Sequence, residues 1–227
     1  MYRKFINARS PMRLLEKGLH GGLGIGNLGA CVAAHGVGKT SFLVGVAIDE
    51  LLRGGTVLHV ALNQTVSHVR DYYDTVYLAL AANTHMDDPT EIHAEIDDHR
   101  RIRVYRGDAF SVSKLSDALK VEAEAGIRPS LIVIDGLDAS QVTQEDLAGI
   151  RSLVAELAAE VWFTLDAKPE RDPLSALSGC EDLVSVIVTL EAKGDEVTLR
   201  AIKDHDNEDL QDLHVGLDPR TLLLVRS

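Results

Sequence analysis

The stretch Ala33–Phe42, AAHGVGKTSF, holds residue types that bind phosphate. Gly36 and Gly38 precede Lys39 and Thr40, matching the second half of the pattern G-x-x-x-x-G-K-[ST]. Ala33 stands where that pattern begins with glycine, and a methyl group fits there when the local φ is negative. In such a loop, here His35, Gly36, Val37, Gly38 and on to Ser41, backbone N–H groups point inward at phosphate oxygens. The helix that follows adds the partial positive charge of its N-terminus. Lys39 is then the cation for the β- and γ-phosphates, Thr40 offers its hydroxyl to Mg²⁺, and His35 lies beside either solvent or the nucleotide. A second chemical residue, Asp135, ends the apolar run SLIVID (Ser130–Asp135). A carboxylate at the carboxyl end of a parallel strand faces the ligand crevice, where it can hold Mg²⁺ through water beside Thr40. Its other available role is to cap a turn with Gly136.

A Gly-Lys-Thr triplet is common, so its setting must discriminate. Glycine-rich Gly18–Gly29 leads into an apolar strand, Ala30–Ala34, and Gly36–Gly38 makes the turn. Ser41–Leu52 is apolar almost all round, as a helix buried against a sheet is, and Gly54-Gly55 stops it. Thr56–Leu62 reads as the next strand, followed by a helix with Val69, Tyr73, Val76 and Leu80 on one face behind a Thr65 cap. Asp88-Pro89-Thr90-Glu91 has the form of a cap, a first-turn proline and a capping acid. A strand (Ile102–Arg106), a helix (Val112–Ala125), the Ser130–Asp135 strand, a helix opened by Thr143-x-x-Asp146 and a strand (Val161–Asp166) follow in alternation. After Leu183, two β-rich runs flank a hairpin loop at Glu191–Asp195. Alternating strands and helices predict an α/β fold with a mainly parallel sheet, the tail adding antiparallel strands at an edge.

The whole chain of 227 residues reads as one domain, 1–227. A net charge of −12, with aromatics at only 4%, argues against binding nucleic acid, since phosphate backbones are repelled and no stacking platform exists. No apolar run approaches membrane-spanning length, and the first residues lack a signal-peptide core, so no membrane contact and a cytoplasmic location are expected. Cys31 and Cys180 are too few for a disulfide framework or zinc site.

The order GGLGIGNLGACVAAHGVGKT, GGTVLHVALNQT, LIVIDGL and LRAIKDH resembles the RecA-like P-loop ATPases, especially the KaiC and RadA branch, over roughly residues 10–225. The resemblance implies a three-layer P-loop NTPase sandwich that binds ATP or ADP with Mg²⁺ at the interfaces of a homo-oligomer. It also implies roles at positions where this chain departs from the pattern. That branch carries a Glu-Glu pair after the second strand, one member activating water; here Asn63 and Gln64 stand there, and neither amide accepts a proton at neutral pH. Where the branch often has Lys-x-Arg reaching a neighbour's γ-phosphate, this chain has Lys203-Asp204-His205, and Lys203 equally suits a solvent-facing position on an edge hairpin. Asp166, ending the strand after the Asp135 strand, is a substitute base or a turn residue. The expected function is nucleotide-dependent assembly or regulation with slow or absent hydrolysis. An active ATPase with a non-standard base that remodels a protein partner is the alternative, and a DNA recombinase or helicase is disfavoured by the acidity.

Overall fold

Apolar runs without polar alternation belong in strands covered on both faces. Such runs form the centre of the sheet in the computed structural model, which describes residues 10–168, 171–177 and 179–227. In chain order the elements are α1 (Met12–Gly18), β1 (Leu28–Ala33), α2 (Lys39–Leu52), β2 (Val57–Leu62), α3 (Val66–Thr84) and α4 (Pro89–His99). Then come β3 (Arg100–Tyr105), α5 (Val112–Glu124), β4 (Leu131–Leu137), α6 (Gln144–Leu157) and β5 (Glu160–Asp166). The last strands are β6 (Val186–Lys193), β7 (Glu196–Asp204), β8 (Val215–Leu217) and β9 (Leu224–Arg226). Among the described residues the sheet has nine strands in the order β3-β2-β4-β5-β1-β6-β7-β8-β9. Pairing is parallel from β3 through β6 and antiparallel from β6 to β9. The expected α/β class, mainly parallel sheet and antiparallel C-terminal edge are all present.

Side chains alternate across each strand, and the two faces bury separate cores. Cys31, Val57, Ala61, Val133 and Trp162 pack with Phe42, Leu43 and Ile48 of α2 and with Val69, Tyr73 and Val76 of α3. Leu58, Val60, Ile132, Ile134 and Phe163 pack on the other side with Leu115 and Leu119 of α5 and Leu147, Ile150 and Val154 of α6. This division follows from right-handed crossovers. Connections from β1 to β2 to β3 run toward one edge and lay α2–α4 on one face; those from β3 to β4 to β5 run back and lay α5 and α6 on the other. Neighbours β1 and β5 therefore send the chain to opposite faces, and so do β2 and β4. Each pair opens a crevice at its carboxyl ends, where ligands of such sheets bind.

Local signals mostly do as expected. Thr65 and Thr143 cap α3 and α6 through their side chains, the latter in a reciprocal bond pattern with Asp146. Two expectations are corrected. Asp88 precedes α4 in left-handed backbone (φ 51°) and makes no side-chain cap, so the fixed φ of Pro89 starts that helix. The β6–β7 loop is not Glu191–Asp195: strand pairing extends to Lys193 and Glu196, because Gly194 (φ 61°) turns the chain in two residues. Among the described residues no helix is long and apolar enough to cross a membrane.

Candidate functional site

The 34–38 segment joins the carboxyl end of β1 to the start of α2. Gly36 and Gly38 have φ of 79° and 112°, backbone that disfavours a side chain. A Cβ on Gly38 would also sit 2.2 Å from Leu217 Cδ2. Ala33 is different. It is the last residue of β1, buried and paired with Asp166 of β5, in strand backbone that accepts a methyl group. Val37 is half-buried, and Ser41 is buried in the first turn of α2.

Lys39 turns back under this loop. Its Nζ donates to Ala33 O at 3.0 Å and Ala34 O at 2.8 Å and pairs with Asp166 Oδ1 at 2.6 Å. An ammonium has three protons, so all three are engaged. The exposed ring of His35 lies 3.3 Å from Asp166 Oδ2 through Nδ1. Burial would raise the Asp166 pKa, but Lys39 and then His35 outweigh it and hold the carboxyl below the usual carboxylate range. An ion-paired carboxylate held this low is a poor proton acceptor.

Asp135 is buried near the carboxyl end of β4, two residues before its last, and accepts three side-chain hydrogen bonds. Thr40 Oγ1 donates to Oδ2 at 2.7 Å, Gln64 Nε2 to the same oxygen at 2.9 Å, and Thr164 Oγ1 to Oδ1 at 2.8 Å. The loop helix, the end of β2 and the middle of β5 thus converge on one carboxylate. Gln64 Oε1 is buried there without a partner. A hydroxyl, a carboxylate and an orphaned amide oxygen are a hard oxygen set of the kind Mg²⁺ takes, and Mg²⁺ is commonly held by one or two carboxylates plus substrate phosphate. Among the described residues no group of three or more His, Cys, Asp and Glu side chains is placed to hold a metal. Thr40 and Gln64 fall outside that residue set, and the oxygen donors present fit the ion.

Asn63 faces elsewhere. Its φ of 58° is left-handed, a conformation asparagine tolerates well. Its Oδ1 accepts from Gly107 N at 2.8 Å and its backbone N–H donates to Tyr105 O, tying the end of β2 to the turn after β3. Gln64, not Asn63, is the amide at Asp135.

Lys203 and His205 lie at the opposite end of the sheet. Lys203 pairs with Ile187 near the start of β6, and β6 runs parallel to β1 with Val186 beside Gly29. Lys203 Nζ donates to Glu181 O at 2.8 Å, while His205 reaches Asp204 Oδ1 at 2.8 Å and Leu23 O at 3.0 Å. Within one chain they do not join Lys39, Thr40, Gln64, Asp135 and Asp166.

Thr164 is not among the residues that the sequence motifs single out, although a signal for it exists. Alternation puts Thr164, Asp166 and Trp162 on the same face of β5, opposite Phe163 and Leu165. Thr164 is therefore a polar residue buried one strand from Asp135. It also accepts from Gly136 N at 2.8 Å, where β4 shifts register and Gly136 takes φ 91°. Thr164→Val strands both partners, so urea denaturation is expected to show a loss of about 2 kcal/mol, with Thr164→Ser costing clearly less. Equal losses for valine and serine would assign the effect to packing instead.

No known family model matches the chain, and a search of curated proteins finds no significant match.

Proposed function

We propose that the chain is an ATP-binding, RecA-like P-loop protein of the kind that includes KaiC and RadA, with hydrolysis slow or absent. On this reading its nucleotide state governs homo-oligomeric assembly or the engagement of a protein partner in the cytoplasm. The observation that carries the proposal is the 2.7 Å bond from Thr40 Oγ1 to Asp135 Oδ2, which joins the glycine-loop helix to a strand end 95 residues away. A threonine following the loop lysine and an aspartate closing a parallel strand are the two residues such a site needs together.

Lys39 and the N–H groups at the start of α2 would bind the phosphates. The Thr40 hydroxyl and the Asp135 carboxylate, with Gln64 Oε1 beside them, would hold Mg²⁺, which neutralises phosphate charge when bound. Gln64 orients water but takes no proton from it, and Asp166 is tied to Lys39. Both points favour binding over turnover. Because Lys203 and His205 lie far from the loop of their own chain, a role at phosphate requires a second subunit, as in the proteins the chain resembles.

Lys39→Ala is expected to weaken ATP–Mg²⁺ and ADP–Mg²⁺ binding by at least about tenfold, or about 1.4 kcal/mol. It removes the loop's cation and leaves the Asp166 carboxylate at its mouth without its ammonium partner. Calorimetric titration and ligand-dependent melting measure this. Equal affinity in variant and parent would place any nucleotide elsewhere and sink the proposal.

A further inference from the structure

We propose that Asp166 is a specificity determinant of the glycine loop, selecting cation-complexed phosphate ligands over metal-free ones by acting as an internal counter-anion of Lys39. The inference rests on the nucleotide-binding reading above and adds what the ligand must bring with it.

Lys39 is not waiting with a free ammonium. Its side chain is 10% exposed, and its three donors are satisfied by Ala33 O, Ala34 O and Asp166 Oδ1. Asp166 is 58% exposed, at the carboxyl end of β5 directly beside Ala33. An anion therefore stands at the mouth of the loop before any ligand arrives. Lys39, Asp135 and Asp166 together carry one net negative charge, and His35 adds a positive charge only when protonated. The low proton affinity of Asp166 keeps that charge in place throughout the neutral range.

An incoming phosphate must take at least one proton of Lys39 from these partners. If it takes the one held by Asp166, two anions face each other in a partly desolvated crevice, where Coulomb repulsion is stronger than in water. A phosphate that arrives with a divalent cation carries less net negative charge, and its cation meets the Asp135 oxygens. The penalty falls on the metal-free ligand. A turn residue without this role would leave the metal dependence of binding unchanged.

The test compares the full chain with Asp166→Asn, titrating pyrophosphate and ADP by calorimetry, each with and without Mg²⁺. Asparagine is close in shape and the side chain is mostly solvent-facing, so folding is retained; Asp166→Ser serves as the second variant. The parent is expected to bind the metal-free ligands at least about tenfold more weakly than their magnesium complexes. Both variants should gain about tenfold for the metal-free ligands and change less than about threefold for the complexes. Unchanged or weakened metal-free binding in both variants, with the parent binding the complexes, overturns the inference and leaves the nucleotide reading standing. Absence of binding in parent and variants alike, with and without the cation, removes that reading and the inference with it.

Discussion

Gln64→Glu is expected to raise phosphate release from saturating ATP–Mg²⁺ by about 10²-fold or more, with little change in affinity. The amide is nearly isosteric with glutamate, and its Nε2 lies 2.9 Å from Asp135 Oδ2, so the replacement puts a proton acceptor at the end of β2 beside the residues proposed to hold the ion. Asn63→Glu is expected to leave turnover unchanged and to cost stability. Asn63 sits in left-handed backbone and its side chain is committed to Gly107 N, away from Asp135. The two substitutions therefore separate neighbouring positions that the resemblance alone leaves equivalent. A second signature accompanies the first. The new carboxylate at the end of β2 would face Asp135 in place of an amide donor, so Gln64→Glu should melt below the parent, by a similar margin with and without ion and nucleotide. A stopped phosphate-release assay and melting curves check both. Brisk turnover in the parent that survives Asn63→Ala and Gln64→Ala would refute the assignment. A slow parent that Gln64→Glu does not accelerate would move attention to His205, with His205→Arg assayed in the assembled oligomer.

Acid is expected to destabilise the fold through His59, by about 3 kcal/mol as pH falls from 6.5 to about 4. His59 is fully buried in β2, its Nδ1 is 3.1 Å from Tyr73 OH, and its Nε2 has no partner. Burial pushes its pKa down to about 4; the charge of Asp135 opposes this and that of Arg100, stacked on the Tyr73 ring, adds to it. Between the two pKa values the unfolded chain binds a proton that the folded chain does not. The contribution is thus complete above pH 6.5, shrinks as pH falls and is gone below about 4. Other groups titrate nearby with opposite signs. Burial raises Asp49 and Glu160, which stabilises the fold on acidification, whereas Asp166 and Asp204 are held low and lose stability only at still lower pH. The difference between parent and His59→Gln isolates the histidine, since glutamine keeps a polar partner for Tyr73 and does not titrate. Urea denaturation at stepped pH should give a flatter curve for His59→Gln, and parallel curves would show that His59 is not the source.

Features that depend on near neighbours were legible in the residues alone. Apolar runs too continuous for a half-exposed strand, glycines where the helices stop, and threonine caps set the alternation of strands and helices, and with it the parallel sheet. The glycine loop and Asp135 could be read for the same reason, each being a short motif at the carboxyl end of a strand. The remaining pairings belong to the folded sheet, because the site is assembled between strands distant in sequence. Asp166 meets Lys39 because β5 lies beside β1, and Thr164 meets Asp135 because β5 also lies beside β4. Gln64 rather than Asn63 faces Asp135 because one left-handed residue turns the chain as it leaves β2. Lys203 and His205 fall at the far end of the sheet because β6 joins the sheet parallel to β1, so that the hairpin strand β7 ends beside the start of β1. Side-chain direction flips with each residue of a strand, and partners are chosen by strand order, so pairings of this kind appear only once the sheet is assembled.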